Sequence, residues 1–121
     1  IRRGDYVRDP NFDCLSLDYY YDGLNLLPDI PVLIVTNDVE WCKKNFNNEK
    51  FTISTFEDAC IDLCLMSMCN YHIIANSSYS WWSAYLNRNE QKIIVAPQKW
   101  YADTKMNEIT NSLIPKNWIV I

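Results

Sequence analysis

Four short apolar runs, each closed by turn residues and set apart by stretches of helical periodicity, leave this chain few folds to choose from. The runs are PVLIVTND (31–38), FTIS (51–54), YHIIAN (71–76) and KIIVAP (92–97). Runs this short and this apolar read as buried strands. Between them lie VEWCKKNF (39–46), FEDACIDLCLMSMC (56–69) and SSYSWWSAYLN (77–87), whose apolar residues recur at helical spacing. LSLDYYYDGLNLL (15–27) reads as a further helix with Gly23 as its weak point, and NWIVI (117–121) as a last short strand. Asn37 or Asp38 is placed to cap the helix at 39, and Thr55 the helix at 56. Strands alternating with helices imply βαβ units. The expected fold class is therefore α/β: one Rossmann-like domain over 1–121, with a mostly parallel sheet and helices on both faces. In such sheets ligands bind beyond the carboxyl ends of the strands. Three turns deserve scrutiny on that rule, at 2–5, 36–38 and 75–78.

Composition narrows the functional classes. The net charge of −4 argues against a nucleic-acid partner, which a basic face would recognise. The five cysteines, Cys14, Cys42, Cys60, Cys64 and Cys69, are odd in number and form no CxxC pair. With His72 as the single histidine, they do not suggest a zinc site. They read as buried free thiols of a reducing compartment. No run reaches the roughly 20 apolar residues of a membrane span. No GxxxxGK[ST] occurs, and two glycines are too few for a GxGxxG fingerprint.

The turns carry the chemistry. In IRRGDY, if Ile1 ends a strand, Arg2 and Arg3 point to opposite sides, one into the crevice and one into the structure. A guanidinium fork matches two phosphate oxygens, Gly4 lets a ligand approach closely, and Asp5 can hold an arginine in place. The plain alternative is an exposed ion pair. In ANSSYSWW, Asn76, Ser77 and Ser78 stand where a strand becomes a helix. Free N–H groups and hydroxyls there make an anion site, or ordinary capping. The Asn76-Ser77-Ser78 sequon is incidental at such a turn. Trp81 and Trp82 divide between core packing and an interface. Asp62, inside an apolar helix, is either a solvated residue or a carboxylate able to accept two hydrogen bonds from a guanine edge.

Taken together, IRRGDY, VLIVTNDVEWCKKNF, FEDACIDLCLMSMCNYHIIANSSYSWWSAYLN and IIVAPQKWY resemble the carboxyl-terminal half of α-1,2-fucosyltransferases, in order and over nearly the whole chain. The leading histidine of that family's HxRRGDY block falls before Ile1. The resemblance implies a GT-B-like enzyme of which this chain is the donor-binding half, the acceptor half lying outside it. It further implies inverting transfer of fucose from GDP-fucose to the 2-hydroxyl of a galactose-containing glycan, with no metal or other cofactor. By position, Arg2 grips the pyrophosphate, and Arg3 and Asp5 are its structural and orienting partners. That makes Arg2 and Asp5 the catalytic candidates. Asn76, Ser77 and Ser78 lie near the phosphates, and Asp62 falls at a guanine-binding position. Thr36 to Asp38 is mainly structural. Neither Asp5 nor Asp9 is assigned as general base. The expected location is the bacterial cytoplasm, with peripheral association with the inner membrane left open. Two other readings compete: a non-catalytic nucleotide-sugar-binding module, and a receiver-like signalling domain, for which no acidic cluster with a strand-end lysine is found.

Overall fold

A computed structural model describes residues 1–56, 58–110 and 112–121. In chain order the elements are α1 (Leu17–Asn25), β1 (Val32–Ile34), α2 (Val39–Asn45), β2 (Phe51–Ile53), α3 (Ala59–Ser67), β3 (Tyr71–Ile73), α4 (Ser78–Leu86), β4 (Ile93–Ala96), α5 (Thr104–Thr110) and β5 (Ile119–Val120). Every strand pairing is parallel, as the alternation requires. Among the described residues the strands form two sheets, β1-β2 and β3-β4-β5. The fold is thus α/β and Rossmann-like. Ile1 lies outside the described strands, although its amino nitrogen donates to Val35 O at 2.6 Å. The α5 helix has no counterpart in the apolar pattern.

The side chains of β3 and its continuation alternate between two cores. Ile73 and Ala75 pack with Ile34, the α1 residue Tyr20, the α2 residue Cys42 and Phe46 just past α2. Ile74 packs instead with Ile94, Ala96, the α4 residue Ala84, and Trp100 and Trp118. Successive strand residues point to opposite faces, so these clusters set α1 and α2 on one face and α4 on the other. Burial of this apolar surface is the main stabilising contribution. Trp81 joins the second core and Trp82 stays about half exposed, as expected of the pair.

Local chemistry decides where helices begin. Ser16 Oγ accepts from Tyr19 N to start α1, and Asp38 Oδ1 accepts from Trp41 N to start α2. The α3 helix differs from expectation. Asp58 Oδ1 accepts from both Cys60 N and Ile61 N, so Asp58 and not Thr55 is the cap, and helix begins at Ala59. A carboxylate serving two amides outcompetes a hydroxyl three residues earlier. Phe56 is left exposed. Gly23 is buried against β3, where an added Cβ would stand 3.0 Å from Ile73 Cγ2. The helix packs tightly on the sheet there and runs unbroken through Gly23. The five thiols are free, but the expectation that all are buried fails: Cys42 is buried, while Cys60 and Cys64 are exposed on α3. No described helix is long and apolar enough to cross a membrane.

His72 is buried in β3, with its ring nitrogen 2.7 Å from Asn87 Nδ2. Desolvation, helped by the Lys92 ammonium, pushes its pKa from 6.5 down to about 4. The native protein therefore keeps the ring neutral where the unfolded chain would protonate it. Above pH 6.5 both states are neutral and His72 has no effect. Below it the unfolded state binds the extra proton, so stability falls with pH and levels off near pH 4, by roughly 3 kcal/mol. Denaturant titrations at pH 7.5, 6 and 5 should show about 2 kcal/mol of that loss by pH 5, and His72→Gln should flatten it.

Candidate functional site

The turns that leave β1 and β3 meet the turn at 2–8. Arg2 Nη2 donates to Asp5 Oδ2 at 2.7 Å, and the guanidinium lies 5.2 Å from the centre of the Tyr6 ring. Tyr6 stacks on Phe12 at 4.2 Å and donates its hydroxyl to Asn76 O at 3.3 Å. A continuous set of contacts therefore runs from Arg2 to the turn that opens α4. Arg2 Nε is buried and finds no partner among the described residues. A buried donor without an acceptor is uncommon and calls for an explanation.

Arg3 goes the other way, as adjacent residues of an extended segment should. Its guanidinium lies 4.0 Å over the Trp41 ring, its Nε stands 3.7 Å from Asp38 Oδ2, and its Nη1 donates to Leu15 O at 3.4 Å. Its backbone N–H donates to Asn37 Oδ1 at 2.9 Å. Asn37 Nδ2 in turn donates to Asp5 Oδ1 at 3.2 Å. An added Cβ on Gly4 would sit 2.6 Å from Asn37 Nδ2, so this close packing of two turns explains the glycine. Desolvation pushes the Asp5 carboxyl up, but its backbone hydrogen bond, Arg2 and Asn37 outweigh that and hold it below the usual range. A carboxylate held ionised in this way positions Arg2 better than it accepts protons.

Asn76 fixes the second turn. It is 1% exposed, and its Nδ2 donates to Asp13 O and to Trp100 O, both at 2.7 Å. The amide nitrogen is fully used and buried, so the sequon is indeed incidental. Asn76 Oδ1 finds no partner among the described residues. Ser77 holds the N-cap position of α4, yet its hydroxyl accepts no capping bond, in contrast to Ser16, Asp38 and Asp58. Ser78 is the exposed first residue of the helix. The first-turn N–H groups of α4 thus lack the side-chain acceptor that the first three helices have, and they carry the positive end of the helix dipole.

Asp62 lies beside this group without touching the arginines. Ser54 Oγ, just past β2, donates to Asp62 Oδ1 at 2.5 Å. Tyr79, one residue beyond Ser78, donates to Ala59 O at 2.5 Å. Burial, then the Asp62 charge, pushes the Tyr79 hydroxyl up. A neighbouring hollow of about 370 Å³ is lined by Asp13, Asp18, Asp22 and Lys99. Three carboxylates against one ammonium repel a phosphate there. Sequence reasoning missed Tyr6 and Trp41. The signal for Tyr6 was its place at the end of the RRGDY run, facing the same turn as Arg2.

A parallel α/β sheet whose strand-end turns gather a guanidinium and an uncapped helix start belongs to the Rossmann-like class that glycosyltransferases use. The chain is a member of glycosyl transferase family 11, whose model matches residues 1–121. It is 38% identical over 122 residues to the O-antigen biosynthesis glycosyltransferase WbnK of Escherichia coli, covering 91% of this chain and 40% of that protein. It is 36% identical over 140 residues to an alpha-1,2-colitosyltransferase of Escherichia coli, covering 100% and 46%. It is 28% identical over 99 residues to human galactoside alpha-(1,2)-fucosyltransferase 1, covering 71% and 27%. The chain therefore spans less than half the length of each of these relatives. No solved structure matches it.

Proposed function

We propose that the chain is the donor-binding half of an inverting, metal-independent GT-B glycosyltransferase. The enzyme moves fucose from GDP-fucose to the 2-hydroxyl of a galactose-containing acceptor. The observation that carries this reading is Arg2, whose buried Nε has no partner among the described residues while its contacts lead to the uncapped start of α4. The relatives whose names specify α-1,2 transfer, to colitose and to fucose, support the linkage.

In this reading the fucosyl carbon leaves through an oxocarbenium-like transition state. Negative charge grows on the departing β-phosphate. Arg2 and the first N–H groups of α4, with Ser77 and Ser78, stand where that charge would be met. Asp5 orients Arg2, and Arg3 braces the turn against Trp41. Asp62 offers the guanine edge Oδ2 and the lone pair of Oδ1 that Ser54 leaves free. The acceptor hydroxyl attacks from the opposite face, which inverts the anomeric centre. The acceptor wall comes from the part of the enzyme outside this chain.

Thermal-shift measurements with GDP, GDP-fucose, UDP and ADP test the proposal. At a hundredfold excess over Kd, a ligand confined to the native state stabilises by about 2.7 kcal/mol. Stabilisation by both guanine ligands, and not by UDP or ADP, is the expected result. Equal shifts from all four would remove the base-reading role from Asp62. A binding module without turnover would give the same shifts, so a transfer assay on the full-length protein separates the two.

A further inference from the structure

The two sheets are separated by a gap, and its shape identifies what fills it. Among the described residues β1 pairs only with β2, and β3 only with β4, so each presents one unpaired edge. A cavity of about 350 Å³ lies between them, lined by every residue of 32–35 and every residue of 71–74. Side chains alternate between faces along a strand, so a cavity that touches four consecutive residues of each strand runs along their edges. Unpaired backbone edges buried in this way are costly unless something hydrogen-bonds to them.

Ile1 lies at this gap. It lines the cavity, and its nitrogen donates to Val35 O as the next residue of a parallel ladder would. We propose that the gap holds a parallel β-strand formed by the residues leading into Ile1, hydrogen-bonded to β1 on one side and to β3 on the other. In a parallel ladder the residue whose N–H reaches Val35 O sits opposite Thr36, so the four preceding residues face 32–35. With that strand counted first, the order across the sheet becomes 3-2-1-4-5-6, the doubly wound order. The two cores already set α1 and α2 on one face and α4 on the other, as this order demands. The Arg2 turn then leaves the central strand at the point where the strand order reverses, where such sheets bind their ligands. The relatives are more than twice as long as the segment matched.

Hydrogen exchange on the full-length protein tests this proposal, independently of what the donor is. It is read at residues 32–35 and 71–74 in the native chain and in a variant whose four residues before Ile1 are replaced by Gly-Ser-Gly-Ser. The expected result is exchange at both edges at least a hundredfold slower than in free peptide. In the variant it becomes at least tenfold faster at both edges together. Rapid exchange in the native protein overturns the proposal. Protection that persists in the variant assigns the gap to another segment, and protection that rises with protein concentration assigns it to a second copy. Either result overturns the proposal. Should the variant fail to fold, a crystal structure of the native full-length protein decides whether those four residues pair with both β1 and β3.

Discussion

Arg2→Ala in the full-length enzyme is expected to cut kcat roughly 100- to 1,000-fold, the usual loss when one charge-stabilising donor is removed. The fall should appear mainly in kcat, because in the proposed mechanism the phosphate charge assigned to Arg2 develops on the way to the transition state. The fold should survive. The Arg2–Asp5 pair has side chains 39% and 58% exposed, and such exposed pairs contribute little to stability. Arg2→Lys keeps the charge but loses the planar fork, so it should recover only part of the rate. Steady-state kinetics, with the thermal midpoint measured on the same samples, check both statements. Near-normal turnover in Arg2→Ala would remove this residue from the mechanism.

Asn76→Ala should be strongly destabilising. One buried amide nitrogen holds the carbonyls of Asp13 and Trp100, which belong to segments 87 positions apart. Truncation leaves both carbonyls buried without a donor and opens a small void. Each stranded group costs about 1–3 kcal/mol, so a loss of roughly 3 kcal/mol is expected. For a domain of this size that lowers the melting temperature by roughly 10 °C. Asn76→Asp should be no better, because its oxygens cannot donate to either carbonyl. Calorimetry on the three proteins would show it, and a shift below 2 °C for Asn76→Ala would contradict the account.

Strand positions were readable from the sequence because buried parallel strands leave short apolar runs, and 71–76 and 92–97 yielded β3 and β4. Their extents were not readable. The run at 31–38 gives three residues of strand, since pairing ends where β2 ends and apolar character continues beyond it. Helix starts were legible at 37–38, where the structure takes Asp38 from the two expected caps. They were misread at 55–58, where Asp58 reaches two amides and displaces Thr55. The exposure of Cys60 and Cys64 was hidden because α3 is apolar nearly all round, so periodicity does not say which stripe faces the protein. At the site, the opposite fates of Arg2 and Arg3 followed from backbone alternation alone. The Tyr6–Asn76 bond could not be foreseen, because it joins residues 70 positions apart.

That hydroxyl-to-carbonyl bond, with the ring stack behind it, is one of the stitches between the beginning of the chain and its middle. A pyrophosphate laid across the same junction would double the seam. Occupancy and structural integrity would then rise and fall together, and a partly folded chain would have nothing with which to grip its donor.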